Sequence, residues 1–288
     1  MVKNIMQCIV VLVGILFVSI AVASDKVVVI PLSSAKKLMN VVTVSAKGGD
    51  FTSPVAAINS ITDAAADNPY LVFIGPGVYT LTQTLFMKPF VTITGSGQEA
   101  TILTGAISTG ANDASSALVS GADNAILRDL TVENNGGSTY SIALFNSGSS
   151  PIIQDITISA SGGTIVNYGV RNFSSSPVMT DVTATAFGGN TSYGVYNSSS
   201  SPIMTGVTAT ASDGTSSSIG VSDMNSSSII RHCTLEGSFG IKVSTSGTTK
   251  VMHSSIIGTS LLGSGATLTC VNSDNGDATE LGPDCKLP

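Results

Sequence analysis

The chain has 288 residues, a formal net charge of -6 and only 10% charged residues, while 42% of its residues are hydrophobic. An acidic chain with only 12 lysines and arginines cannot form the continuous basic surface that nucleic-acid binding requires, so we exclude nucleic acid as a partner. The 30 glycines and the many small polar residues favour a β-rich protein with a weakly charged surface.

The first 23 residues have the features of an export signal. Lys3 precedes an apolar run from Ile9 to Val22, and Ala21-Val22-Ala23 supplies small residues for cleavage. A membrane anchor is the alternative, but the run is short for a bilayer span and no basic cluster follows it. We predict a signal peptide over residues 1–23, a lead-in segment over 24–40, and a mature chain without a membrane span. The predicted location is secreted, periplasmic or cell-surface.

A repeat of about 25 residues occupies the centre of the chain. Its copies start at Ile142, Tyr168, Tyr193 and Ile219, and a second strand begins after Pro151, Pro177, Pro202 and Ser228. One copy cannot bury a core by itself, whereas stacked copies pair strand to strand. The sequence therefore predicts an all-β fold, a right-handed parallel β-helix (solenoid) over residues 41–265.

Alternation along the first strand of the repeat assigns side chains to faces. Ile142, Leu144 and Asn146, with their equivalents in later copies, are predicted to point inward, and the asparagines to form a hydrogen-bonded stack. The small residues between them are predicted to point outward, namely Ala143, Gly169, Gly194, Gly220 and Gly240.

A second row of the repeat contains acidic residues and histidines. Its members are Asp129, Asp155, Asp181, Gly206, His232 and His253. We interpret the row as bends between strands, because Asp, Gly and His tolerate a left-handed backbone. Neither histidine has a partner at the spacing of a metal site, so no metal ligand is predicted.

The two ends of the solenoid are predicted to be capped. Ser53-Pro54 opens a helix that runs from Val55 to Ala66, with Ser53 as N-cap. Cys270 and Cys285 are predicted to form a disulfide that closes a C-terminal cap over residues 266–288. Cys233 is then left as a buried free thiol.

Several motifs in the amino-terminal half resemble those of pectinesterases. They are Gly48-Gly49-Asp50-Phe51-Thr52, Gly77-Val78-Tyr79, Val91-Thr92-Ile93-Thr94-Gly95 and Leu130-Thr131-Val132-Glu133-Asn134-Asn135-Gly136. The resemblance covers residues 41–165 and continues weakly to residue 256. It implies the pectin-lyase-like β-helix and hydrolysis of a methyl ester, with an aspartate nucleophile, a second aspartate as acid/base, oxyanion-stabilising glutamines and an orienting arginine.

The residues at the corresponding positions differ from the family pattern. Leu81 and Tyr140 occupy the positions of the Glu after Gly-x-Tyr and the Gln before Ala-Val-Ala-Leu, and the Gln-Asp-Thr-Leu motif falls on residues 162–165. Ser192 falls where the resemblance places the nucleophile, and the family's Arg-Pro-Trp has no counterpart because the chain contains no Trp. We therefore predict no catalytic residues and no cofactor.

One row predicted to point outward is a candidate binding site. It consists of Phe145, Arg171, Tyr196, Ser222 and Lys242. Aromatic faces stack on sugar rings and cations pair with anionic groups, so the row favours a polysaccharide partner. We interpret the chain as a non-catalytic carbohydrate-binding or surface-structural protein. The alternatives are a carbohydrate-active enzyme, either a divergent pectinesterase or a polysaccharide lyase, and an adhesive or purely structural solenoid.

Overall fold

The computed structural model describes residues 40–287, whose strands all belong to one 21-stranded sheet with parallel pairing between coils. The predicted signal peptide and residues 24–39 of the lead-in segment lie outside this range. The strands are β1 (Asn40–Val44), β2 (Tyr70–Ile74), β3 (Gly77–Leu81), β4 (Leu85–Phe86), β5 (Val91–Thr94), β6 (Thr101–Gly105), β7 (Ala117–Ser120), β8 (Ile126–Asn134), β9 (Tyr140–Ser147), β10 (Ile152–Ala160), β11 (Val166–Phe173), β12 (Val178–Phe187), β13 (Thr191–Ser198), β14 (Ile203–Thr205), β15 (Thr208–Ser212), β16 (Ser217–Met224), β17 (Ile229–Arg231), β18 (Thr234–Ser244), β19 (Gly247–Met252), β20 (Ser255–Leu262) and β21 (Ala266–Val271).

The strand pairings form three continuous columns, which we call faces 1, 2 and 3. Face 1 contains β1, β2, β5, β14, β17, β19, β21 and the first halves of β8, β10 and β12. Face 2 contains β3, β6, β15, the second halves of β8, β10 and β12, and the first halves of β18 and β20. Face 3 contains β4, β7, β9, β11, β13, β16 and the second halves of β18 and β20. This stack is the predicted right-handed parallel β-helix, and its ladder continues to Val271.

The row of acidic residues and histidines forms the bend between faces 1 and 2. Asp129, Asp155 and Asp181 have φ of 57°, 50° and 52°, and His232 and His253 have φ of 52° and 49°. These values lie in the left-handed region that Asp, Asn and His enter more readily than most side chains. The interpretation of the row as bends is confirmed.

A ladder of amides crosses the interior beneath face 3. Asn146 Nδ2 donates to Asn172 Oδ1 and Asn172 Nδ2 donates to Asn197 Oδ1, each at 2.8 Å. Asn197 Nδ2 continues the ladder by donating to Asp223 Oδ1 at 2.7 Å. Fully buried amides in register pair with one another from coil to coil, so the predicted asparagine stack is confirmed.

The prediction that Ile142 and its equivalents in later coils point into the main core is wrong. Ile142 and Tyr168 belong to a second apolar cluster, separate from the main core that contains Leu144 and Val170. The alternation of side chains fails at Gly169, where a Cβ would lie 2.6 Å from the carbonyl oxygen of Gly194 and 2.9 Å from that of Thr185 on face 2. The row of small residues therefore faces the interior, and the residues before it are directed away from the main core.

The N-terminal helix α1 (Pro54–Ser60) is shorter than the predicted segment Val55–Ala66. The N-cap is as predicted, since Ser53 Oγ accepts a hydrogen bond from Ala56 N at 3.3 Å. The helix ends early because Ile61 adopts an extended backbone and buries its side chain in the core. The helix packs on β1, β2 and β4 in the first coils of the solenoid.

The C-terminal segment contains the predicted disulfide. Cys270 in β21 is bonded to Cys285, and the two Cα atoms are 5.1 Å apart. Cys233 is a buried free thiol, as predicted. Among residues 40–287, no helix has the length and apolar character needed to cross a membrane.

Candidate functional site

A groove of about 610 Å³ lies along the outer side of face 3. Its floor and rim come from β4, β9 and β11, and its opposite wall is part of the loop that joins β6 to β7. The lining residues are Phe86, Asn112, Asp113, Ala114, Ser115, Phe145, Ser147, Arg171 and Phe173. The groove therefore combines three phenyl rings with one cation.

Arg171 lies among the aromatic rings of the groove. Its Cζ is 4.9 Å from the ring centroid of Phe145 and 5.8 Å from that of Phe173. In the described part of the chain, no carboxylate forms an ion pair with Arg171. Its Nε is buried and makes no hydrogen bond to residues 40–287. The aromatic faces hold the guanidinium in place without neutralising its charge.

The loop wall is fixed by its own hydrogen bonds. Asp113 Oδ1 accepts from Ser115 N at 2.8 Å and from Ser115 Oγ at 2.5 Å, which caps the short 3-10 helix Ala114–Ser116. These bonds, and secondarily the charge of Arg171, lower the pKa of Asp113. Asn112 Nδ2 donates to the Tyr168 hydroxyl at 3.2 Å. An ionised carboxylate thus stands in the wall of the groove.

Three tyrosines extend the aromatic surface along face 3. The rings of Tyr168 and Tyr193 are stacked with centroids 5.2 Å apart, and Tyr196 meets them edge-on at 5.4 Å and 5.0 Å. Burial raises the pKa of Tyr193 to about 12, so its phenol remains neutral in any physiological buffer. These tyrosines belong to the same apolar cluster as Phe145, a lining residue of the groove.

The structure brings together only part of the predicted binding row. Phe145, Arg171, Tyr196, Ser222 and Lys242 occupy one register position on successive strands, as predicted. Phe145 and Ser222 are each only 4% exposed, however, so the row is not the flat exposed strip that the sequence predicted. Phe145 and Arg171 line the groove, whereas Ser222 and Lys242 are not among its lining residues.

Of the nine residues that line the groove, the sequence predicted only Phe145 and Arg171 as site residues. Phe173 follows Arg171 by two residues and shares its face, so alternation alone could have identified it. Asn112 and Asp113 belong to a loop without strand periodicity, and no local signal indicates that this loop folds over face 3.

The positions aligned with pectinesterase motifs have structural roles in this chain. Leu81 is a core residue of β3, and Ser192 is fully buried and donates its hydroxyl to the Gly188 carbonyl oxygen at 2.6 Å. Gly163 N donates to Asn167 Oδ1 at 2.8 Å. None of the three presents a carboxylate or an amide side chain to the groove.

The described residues contain neither a cluster of three metal ligands nor a reactive thiol. Among residues 40–287, no group of three or more His, Cys, Asp or Glu side chains could hold a metal ion. Burial raises the pKa of Cys233 to about 11, which leaves its thiol protonated and unreactive.

The chain is similar in sequence and in fold to pectinesterases. Residues 40–250 match the pectinesterase family. Similar solved structures include the pectin methylesterases of Erwinia chrysanthemi (TM-score 0.56, 12% identity, covering 86% of this chain and 92% of that one) and carrot (TM-score 0.53, 16% identity, covering 86% of each). The pectin methylesterase of Yersinia enterocolitica is also similar, with a TM-score of 0.56 and 13% identity over 83% of this chain and 94% of that chain. No curated protein sequence matches the chain.

Proposed function

The chain belongs to the pectinesterase family, and from this premise we propose that it binds polysaccharide in the groove of face 3 without hydrolysing ester bonds. The observation that carries the proposal is the pairing of Arg171 with the ring of Phe145 in an open groove, 4.9 Å from Cζ to the ring centroid. The exposed phenyl rings of Phe86 and Phe173 are available to stack on the apolar faces of sugar rings, and the guanidinium that Phe145 holds in place pairs with an anionic or hydroxyl substituent.

The absence of ester hydrolysis is inferred from the positions that carry the chemistry in the family. An ester hydrolase of this type needs a nucleophilic carboxylate, an acid/base group and an oxyanion donor at one carbonyl. Here Leu81, Tyr140, Gly163 and Ser192 occupy aligned positions, and Asp113 is the one carboxylate among the groove residues. Catalytic groups of this kind act as a unit, so their joint replacement removes turnover while a binding surface persists.

Export is part of the same proposal. Cell-wall polysaccharide lies outside the cytoplasm, and residues 1–23 have the composition of a signal peptide. The mature chain would then consist of the lead-in segment, the solenoid and the disulfide-closed cap. Mass spectrometry of secreted protein should give an N-terminus at Ser24 or Asp25, whereas retention of Lys3 would contradict export by cleavage.

A second candidate function, a divergent carbohydrate-active enzyme, is favoured by one observation. Asp113 has a lowered pKa and lies in the groove wall near Arg171, so an ionised carboxylate and a cation face the same space. Asp113→Asn distinguishes the two functions: it should leave binding largely intact in a binder, and it should abolish product formation in an enzyme.

Retention of the purified protein on a polysaccharide array tests the binding proposal. We expect retention on at least one acidic or neutral cell-wall polysaccharide, and loss of that retention in Arg171→Ala. Arg231→Ala is the matched control, because it removes the same charge from an exposed residue of face 1. Equal losses in both variants, or no retention of the wild type on any polysaccharide, would overturn the proposal.

A further inference from the structure

The bend between faces 1 and 2 contains two stacked imidazoles. His232 and His253 follow paired residues of β17 and β19, since Arg231 is in register with Met252. Their ring centroids are 5.3 Å apart and the ring planes differ by 20°. Both side chains are exposed. Adjacent coils therefore present two imidazoles to solvent at one point on the surface.

The backbone does not account for this choice of residues. The same bend is made by Asp155 and Asp181 in other coils, by Gly206 in the coil before His232, and by Asn272 in the coil after His253. All of these positions have a left-handed backbone, which Asp, Asn and Gly adopt at least as readily as His. The fold therefore does not require histidine at the bends of two successive coils. What His232 and His253 have in common is the lone pair of an imidazole nitrogen.

We propose that His232 and His253 form a surface site for one divalent transition-metal ion of the zinc, nickel or copper class. Imidazole nitrogen suits these metals, and a bond length of about 2.0–2.1 Å needs the two nitrogens to approach within bonding range of a common ion. Both side chains are exposed, so rotation about their side-chain bonds on fixed backbones can bring one nitrogen of each ring to a common ion. Water completes the coordination.

The surroundings of the pair are consistent with this role. In the part of the chain that the structure describes, the only side-chain hydrogen-bond contact of either ring is from Asn272 Nδ2 to His253 Nε2, at 3.4 Å. Neither ring forms an ion pair with a carboxylate there. The amide of Asn272 occupies the next position of the column, so rotation of that amide presents an oxygen to the same ion.

Isothermal titration of tag-free full-length protein with Zn²⁺ and with Ni²⁺ at neutral pH tests this proposal. We expect saturable binding of one ion per chain, no response to Mg²⁺, and loss of the saturable heat in both His232→Asn and His253→Asn. Asn keeps the left-handed bend, so circular dichroism and thermal unfolding of the variants should match the wild type.

Asp155→Asn is the control in the same column, because it changes a bend three coils away from His232 and should leave metal binding unaltered. Unchanged binding in the His232→Asn/His253→Asn double variant would overturn the proposal, as would a wild type that does not bind Zn²⁺ or Ni²⁺. Binding that persists in one single variant would also contradict a site made of both rings.

Discussion

The guanidinium of Arg171 lies over the ring of Phe145, with Cζ 4.9 Å from the ring centroid. The two residues are in direct register on β11 and β9, so the contact follows from the stacking of one coil on the next. This relationship joins the fold to the proposed function, because the β-helix itself places a cation on an aromatic surface inside the groove.

The stacking of Arg171 on Phe145 should contribute to binding beyond the charge alone. Arg171→Lys keeps the positive charge but loses the planar face, and Phe145→Leu removes the ring while filling part of its volume. We expect each change to weaken polysaccharide retention, and the double variant to show a coupling energy of about 1 kcal/mol in a double-mutant cycle. Strictly additive effects would show that the stacked pair has no role in binding.

The register of face 1 can be tested with two neighbouring residues of β14. Met204 is fully buried and Ile203 is 38% exposed. Met204→Asp should destabilise the protein by roughly 3–5 kcal/mol because it buries an unpaired charge, whereas Ile203→Asp should cost less than about 1 kcal/mol. Urea unfolding followed by circular dichroism measures both values. Similar losses in the two variants would contradict the assigned faces.

At the row of small residues on face 3, the backbone approaches its neighbours so closely that adding one methyl group should destabilise the folded protein. A Cβ at Gly194 would lie 2.7 Å from the Gly220 carbonyl oxygen and 2.9 Å from Thr210 N. We expect Gly194→Ala to lower the free energy of unfolding by about 1–3 kcal/mol. Gly137→Ala is the matched control, because a Cβ there meets no atom within 4 Å. A neutral Gly194→Ala would mean that the strand does not approach face 2 as described.

The carboxyl group at the end of the amide ladder should make stability depend on pH. Asp223 is fully buried, and desolvation raises its pKa despite hydrogen bonds from Thr249, Asn197 and Ser228. A raised folded pKa means that this group favours the folded state most below the unfolded pKa of 3.8, and that this contribution is lost as pH rises through the folded pKa.

Asp223→Asn should therefore stabilise the protein at neutral pH, because it removes the carboxyl group whose ionisation burial disfavours. Its amide can still accept from Asn197 and Ser228 and can donate to Thr249, so the ladder is preserved. Chemical unfolding at pH values from acid to neutral should show a flatter profile for the variant. A variant that is less stable than the wild type at neutral pH would contradict the direction of the shift.

The sequence was sufficient for the features that depend on repetition. The coil length, the asparagine ladder from Asn146 to Asn197, and the bends at Asp155 and Asp181 all follow from residues that recur in phase, and each is confirmed. The cysteine pair was predictable because the predicted export of the chain, together with two cysteines near its end, favours a disulfide.

The predictions that were wrong or incomplete concern places where the chain departs locally from that repetition. The prediction assumed that side chains alternate strictly through Gly169. Because glycine has no side chain, the backbone approaches face 2 there, and two consecutive positions of the strand face the interior. Arg171 and Phe145 were identified as a pair of the same row, yet the wall at Asn112 and Asp113 arises from a long-range contact to Tyr168 that no local pattern encodes.

Methanol release from methyl-esterified pectin tests the central claim most directly, because it reports the reaction that the family fold supports and that the residues of this chain are inferred to have lost. A pectin methylesterase measured in the same buffer provides the positive control, and heat-denatured protein provides the baseline. The account predicts release no greater than this baseline for the wild type, with polysaccharide retention intact in the same sample. Release above the baseline that is abolished in Asp113→Asn would contradict the account and identify the chain as a divergent enzyme.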